Sequence, residues 1–274
     1  MESLIQQKGN VIHPSVKAYK NAVKQLYSDW EFFADIHLHS TRSDGLLSPE
    51  EIIKLSWKNN FYVAITDHNS IIPSSGLSKQ HKERLIPAIE ILCKDGVEFL
   101  AYFHSIRDLN TCFKKYLKPK ISFIFKTSIE ANWLISKLQK YNAVITVPHP
   151  YCPYDQFREN FIRYFAKKKL YRESIGSISN IEVFNASHNR QINDKCLEVA
   201  AHLKKGICAG SDAHTKNTLG SVLTYCNASS KEKFLEQFTK GNTLFIGTPT
   251  PKIKNVLPAL KILSVYTKYF FMRN

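Results

Sequence analysis

From residue 32 to about residue 250, apolar positions come in short runs separated by polar loops and by stretches of helical period. Runs that read as strands cover 32–37, 62–66, 85–92, 98–103, 143–147, 180–185 and 206–210. Stretches of helical character fall between several of them, at 128–141, 157–170 and 191–205. One helix marks its own start. Ser48, Pro49, Glu50 and Glu51 supply an N-cap, a proline at the first helical position and a glutamate at the third, and Ile52, Ile53, Leu55 and Trp57 follow at helical spacing. Strand and helix alternating through most of the chain predict a parallel α/β fold, as a barrel or an open sheet.

The chain has 274 residues, enough to bury a sizeable core in one large domain. That domain is expected over 32–250. Residues 1–31 read as a polar extension with a helix at 16–27, and 251–274 as an apolar and basic tail that packs on the domain. Apolar residues make up 43% and charged residues 22%, which excludes disorder as the dominant state. With 38 Lys and Arg against 23 Asp and Glu, the net charge is +15. Such a field suits a polyanionic partner, although a generally lysine-rich surface gives the same sign. The six cysteines are scattered without a CxxC pair, so they read as reduced, buried thiols. No apolar stretch is long enough to cross a bilayer and the first residues lack a continuous apolar run; a cytoplasmic protein without stable membrane insertion is expected.

Residues able to ligate a metal recur where strands end. His37 and His39 close the first run, with Asp44 in the loop beyond. Asp67 and His68 follow the second, Glu90 lies in the third, His149 follows the run at 143–147, and Asp212 and His214 follow the run at 206–210. In α/β folds the carboxyl ends of parallel strands converge on one face, so these distant residues can form one site. Histidines two apart on a strand project to the same side, and His37 and His39 can reach one cation. A single buried histidine is more often satisfied by a hydrogen bond. Five histidines and four acids recurring in or just beyond strands are hard to explain in that way.

The stretches ADIHLHSTRSDGLLSPEEI, AITDHNSI, PHP at 148–150 and GSDAH resemble, in order, the four motifs of the PHP superfamily, named for polymerase and histidinol phosphatase, and the resemblance spans roughly residues 33–225. It implies a distorted (β/α)7 barrel holding two or three divalent ions, Mn, Fe or Zn. Transferred by position, His37, His39 and Asp212 would bind one ion, and Glu90 would bridge it to a second held by His149. Asp44, His68 and His214 would bind a third. Glu98 stands where the family usually has a histidine, with His104 as a rival ligand nearby. A carboxylate in that place shifts preference toward Mn or Mg over Zn.

The chemistry so implied is hydrolysis of a phosphate ester by a metal-activated hydroxide attacking phosphorus in line. His214 or His188 is a candidate proton donor. Arg42, in the loop before Asp44, and Arg190 are candidate phosphate contacts, with His188 and Lys216 as further ones. Each also reads as a solvated loop residue. A nucleotide or short nucleic acid is the expected substrate. A small metabolite such as histidinol phosphate, and a non-catalytic module that binds metal or nucleic acid, are the alternatives.

Overall fold

The computed structural model describes residues 32–123, 126–151, 161–166 and 172–248. The expected helix at 16–27, the tail at 251–274, Cys152 and most of the predicted helix at 157–170 lie outside the described residues. In chain order the elements are β1 (Phe32–Leu38), α1 (Pro49–Asn59), β2 (Tyr62–Ile65), α2 (Lys79–Arg84), β3 (Ala88–Leu92), β4 (Glu98–Tyr102) and α3 (Ile106–Cys112). Next come β5 (Ile121–Phe123), β6 (Lys126–Thr127), α4 (Ala131–Leu138), β7 (Val144–Val147), α5 (Phe161–Ala166), α6 (Arg172–Ser177) and β8 (Ile178–Asn185). Helix α7 (Arg190–Leu203), β9 (Gly206–Gly210), β10 (Val222–Cys226), α8 (Lys231–Thr239) and β11 (Leu244–Gly247) complete the described fold.

All seven residues of β1, FFADIHL, are buried, as befits a strand covered on both faces. It lies inside a four-stranded sheet of order β11-β10-β1-β2, and a five-stranded sheet runs β3-β4-β7-β8-β9. Pairs β1–β2, β7–β8 and β8–β9 are parallel, whereas β1–β10, β10–β11, β3–β4 and β4–β7 are antiparallel. Two expectations are corrected here. The sheets are mixed rather than parallel, because only five residues separate β3 from β4, too few for a crossover and enough for a hairpin. They also do not close into a (β/α)7 barrel: among the described residues the ladders stop, and strand-like main-chain pairing at the junctions is limited to isolated pairs, Leu38 with Ala213, Val63 with Leu85 and His68 with Glu90.

Those pairs position the site. The amide of Asp212 donates to His37 O at 2.8 Å, and that of His39 to Ala213 O at 2.9 Å, which fastens the segment after β9 to the end of β1. Across the other junction, the amides of Asn69 and Glu90 donate to Glu90 O (2.8 Å) and Asp67 O (3.3 Å) respectively. The space between the sheets is filled by Ala34, Ile36, Ile86, Leu100, Tyr102 and Phe234 among others, each large apolar side chain contributing roughly 1.5–3 kcal/mol. Tyr102 Oη donates to Ile36 O at 3.0 Å, a polar tie between β4 and β1 inside this layer.

The capping box read from Ser48 is present. Its hydroxyl accepts from the Glu51 amide at 3.2 Å, and Glu51 Oε2 accepts from the Ser48 amide at 2.8 Å. Helix α1 ends at Asn60 in the left-handed region, φ 55°. Five cysteines, Cys93, Cys112, Cys196, Cys208 and Cys226, are buried and free, as expected. No helix among the described residues is long and apolar enough to cross a membrane.

Candidate metal centre

Glu90, on β3 and fully buried, lies at the middle of the predicted cluster. Its Oε2 is 3.0 Å from His68 Nδ1 and 3.5 Å from both His37 Nε2 and His39 Nε2, while Oε1 is 3.7 Å from His149 Nε2. Asp212 Oδ1 is 3.2 Å from His39 Nε2 and 3.7 Å from His37 Nε2 and from His214 Nδ1. Asp44 Oδ2 approaches His214 Nε2 (3.2 Å) and His68 Nε2 (3.7 Å), and its Oδ1 lies 3.5 Å from His39 Nδ1. Glu98 at the start of β4 faces the same space, 3.5 Å from His68 Nδ1 and 4.0 Å from His149 Nε2.

The residues fit divalent ions. Ligand bonds of about 2.1 Å place neighbouring donors roughly 3–3.5 Å apart around a shared cation, close to most of these separations. Four sets of three donors each lie within 4.8 Å of one another: His37/His39/Asp212, His37/Glu90/His149, His39/Asp44/His214 and His39/His68/Glu90. Both Glu90 oxygens, His37 Nε2 and His39 Nδ1 are buried without a hydrogen-bond partner among the described residues. Leaving such groups unmatched costs about 1–3 kcal/mol each, so a ligand for them is the economical account of the pocket.

The electrostatics of the metal-free cluster point the same way. Burial opposes charge on His37, yet Glu182, Glu90 and Asp212 together raise its pKa well above the ordinary value. Burial likewise opposes charge on His149 and His214, but Glu90, Glu98 and Glu182 lift the first to about 10, and Asp44 and Asp212 lift the second to about 9. Against the same burial, the surrounding imidazoles depress Asp44, Glu90 and Asp212. Protons thus occupy, in part, the positions that cations would take.

Behind the ligands stands a residue that the sequence reading passed over. Glu182, on β8 and fully buried, has Oε1 2.8 Å from His37 Nδ1. Its Oε2 accepts from the His149 amide (2.9 Å) and from Asn185 Nδ2 (3.1 Å), and Asn185 Nδ2 also reaches Asp212 Oδ2 at 3.3 Å. A carboxylate oxygen accepts, so Nδ1 of His37 carries a proton, and in the neutral ring that an ion requires the lone pair is left on Nε2, on the side of Glu90. An acid inside the apolar run Ile181-Glu182-Val183-Phe184 was the available signal, because an isolated charge in a buried strand needs a partner. Gly210 leaves room for this pair: a Cβ there would collide with His37 Cβ and lie 2.8 Å from Glu182 Oε1. His149 and Asp212 hold left-handed backbones, φ 25° and 49°, a strained geometry that such fastening maintains.

Other predicted residues separate into groups. Asp67 is not aimed at the cluster; its carboxylate accepts from the Ser40 amide (2.7 Å), Ser40 Oγ (2.6 Å) and Ser43 Oγ (2.6 Å), shaping the loop that leads to Asp44. His104, the rival to Glu98, is exposed and stands away from the ligands near Glu232. His188 packs edge-on against His149 with ring centroids 5.6 Å apart. Burial and the adjacent His149 lower its pKa to about 4. Arg42 is exposed in the Asp44 loop, Lys216 is exposed after His214, and Arg190 at the start of α7 turns to Asp194, 3.6 Å away.

The PHP-associated family, described as PHP_C, matches residues 190–243, the region from α7 to just before β11. Among solved structures, similarity extends to a two-domain protein from Bacteroides vulgatus containing a predicted PHP-like metal-dependent phosphoesterase: TM-score 0.54, 15% identity, covering 89% of this chain and 69% of that one. The lesion-specific endonuclease PfuEndoQ of Pyrococcus furiosus gives TM-score 0.57 at 18% identity, covering 77% of this chain and 56% of that one. Endonuclease Q in complex with a 27-mer duplex carrying an abasic lesion at the active site gives TM-score 0.57 at 15% identity, covering 76% and 56%. None of the curated proteins matches the chain in sequence. The four-motif resemblance to the PHP superfamily therefore agrees with a family profile and with the fold.

Proposed function

Taking the chain as a PHP-type protein, we propose that it hydrolyses phosphate esters with the help of two or three divalent ions, and that its substrate is a nucleotide or a short nucleic acid. The observation that carries the proposal is the set of four overlapping donor triads around Glu90 and His39. His37, His39 and Asp212 would hold one ion, Glu90 with His149 and Glu98 a second, and Asp44, His68 and His214 a third. Such ions lower the pKa of water and neutralise the nonbridging phosphate oxygens as charge shifts to the leaving group.

The remaining steps belong to the chain. Glu182 keeps His37 in the tautomer that offers Nε2. Asp67 holds the loop that carries Asp44, so Arg42 in the same loop meets the substrate phosphate from the open side. Arg190, held by Asp194, is a weaker phosphate contact. His214 lies within a donor triad, so its lone pair is committed to an ion. His188 is the imidazole beside His149 that stands in none of the triads, and it is assigned to hydrogen-bond the leaving oxygen rather than to deliver a proton as imidazolium. The +15 charge and the likeness to Endonuclease Q favour a nucleic-acid phosphate over a small metabolite. Mn is the preferred ion on account of Glu98, a harder donor than histidine.

The test is hydrolysis of an aryl phosphate by the full chain with added Mn. His37→Ala and Asp212→Asn are expected to bring turnover to background while circular dichroism stays unchanged. Undiminished turnover in either variant contradicts the assignment.

A further inference from the structure

Between β4 and β7 the chain adds a segment that the metal centre does not use. From 113 to 141 it carries seven lysines against one acid, Glu130, a surplus of six out of the chain's +15. Glu130 is already paired with Lys94 at 2.5 Å. About a tenth of the sequence therefore holds two-fifths of its net charge, which a uniformly lysine-rich surface does not produce.

The lysines are interleaved with aromatic rings. Tyr116 lies on a rare π-helical turn, Phe113–Leu117, a geometry frequent at functional sites. Its ring meets Trp133 of α4 edge-on at 6.4 Å and Tyr141 at 6.3 Å. All three rings are half-buried, fixed on one side and open on the other. Ammonium groups lie over two of them: Lys120 4.9 Å and Lys137 5.4 Å from the Trp133 centroid, Lys115 5.3 Å from that of Tyr116. The segment is also fastened to the catalytic strand. Thr127 Oγ1 donates to Leu92 O at 2.9 Å and the Lys94 amide to Ile129 O at 2.8 Å, at the end of β3, which carries Glu90.

We propose that this face is a docking surface for single-stranded nucleic acid, with Tyr116 and Trp133 stacking bases and Lys115, Lys118 and Lys120 contacting phosphates beside them. Sequence-tolerant binding of single strands needs this combination of ring faces and flexible cations. A duplex keeps its bases stacked on each other and has no use for the rings. An ammonium displaced from a ring by a base has a phosphate at hand, so the cation–π contacts are exchanged rather than lost. The inference rests on the reading of the metal centre as a nucleic-acid phosphoesterase and specifies the form of its substrate.

Fluorescence anisotropy with a labelled single-stranded 20-mer, in EDTA so that nothing is cleaved, tests it on the full chain. The variant K115E/K118E/K120E is expected to bind at least tenfold more weakly. Its plot of log K against log salt should be shallower by about two, since each phosphate contact on a single strand contributes about 0.7. Trp133→Ala should weaken binding by about fivefold to a hundredfold with the salt slope unchanged. Should its melting temperature show that it does not fold, the lysine variant decides alone. Wild-type affinity in the lysine variant, equal or tighter binding of the matching duplex by the parent protein, or no binding at all overturns the proposal. Hydrolysis of the aryl phosphate is expected to be unaffected by the lysine changes, and its absence in the parent protein would count against the metal-centre reading instead.

Discussion

At the scale of single residues, Glu182, which no motif named, ties His37, His149 and Asn185 together behind the candidate ligands. Both of its oxygens accept, from His37 on one side and from the His149 amide and Asn185 on the other. A glutamine cannot satisfy both sides, because its amide nitrogen must point at one of two donors. Glu182→Gln is expected to lower Mn affinity about 10–100-fold, the usual effect of losing a carboxylate behind a metal-binding histidine. Calorimetric titration reads the affinity, and 15N spectra of the His37 ring read the accompanying change of tautomer. Unchanged affinity and tautomer would remove Glu182 from the account. The histidines also give a pH signature with opposite signs in the two states. In the metal-free protein His149 is raised from its ordinary 6.5 to about 10. Its charged contacts with Glu90 and Glu98 thus stabilise fully below pH 6.5 and fade as pH climbs toward 10. Metal ions need the neutral ring, so their affinity rises over the same window. The thermal shift produced by saturating Mn is expected to grow from pH 6.5 to 9, and a shift that shrinks over that window contradicts the ligand set.

At the scale of elements, what the sequence made legible depended on whether the signal was local. The capping box at Ser48 rests on four consecutive residues and stands as read. Strands β1, β2, β7 and β9 lie where short apolar runs placed them, because a strand buried on both faces has no alternation to misread. Strands β10 and β11 went unseen since VLTYC and LFIG follow the last motif and look like ordinary turn-flanked fragments. They become strands only by antiparallel pairing with β1 and with each other, a long-range contact. The antiparallel β3–β4 hairpin was missed for a related reason: two buried strands read the same in either direction. Most of the candidate ligands were legible because they stand at or just beyond a strand end within a motif, whereas Glu90 and Glu98 lie within strands outside the four motifs. Glu182 was not legible, since its partners His37 and His149 are distant in sequence. Asp67 looked like a ligand by position, and only the inward-facing hydroxyls of Ser40 and Ser43 explain its different task.

At the scale of the whole molecule, two mixed sheets meet at a few isolated pairs, and the candidate metal centre sits where those pairs are made. The main-chain bonds at these seams, such as Asp212 N to His37 O and Glu90 N to Asp67 O, bring residues from both sheets within ligand distance. Ions held there would cross-link the sheets, adding about 4 kcal/mol of stability at a thousandfold excess over the dissociation constant. The central claim is that Glu90 and its neighbours chelate several divalent ions at once. Equilibrium dialysis of the full chain against Mn, followed by elemental counting, measures this directly. Two or three ions per chain are expected, falling by at least one in Glu90→Gln. No ion bound above background, or an undiminished count in that variant, would contradict the account.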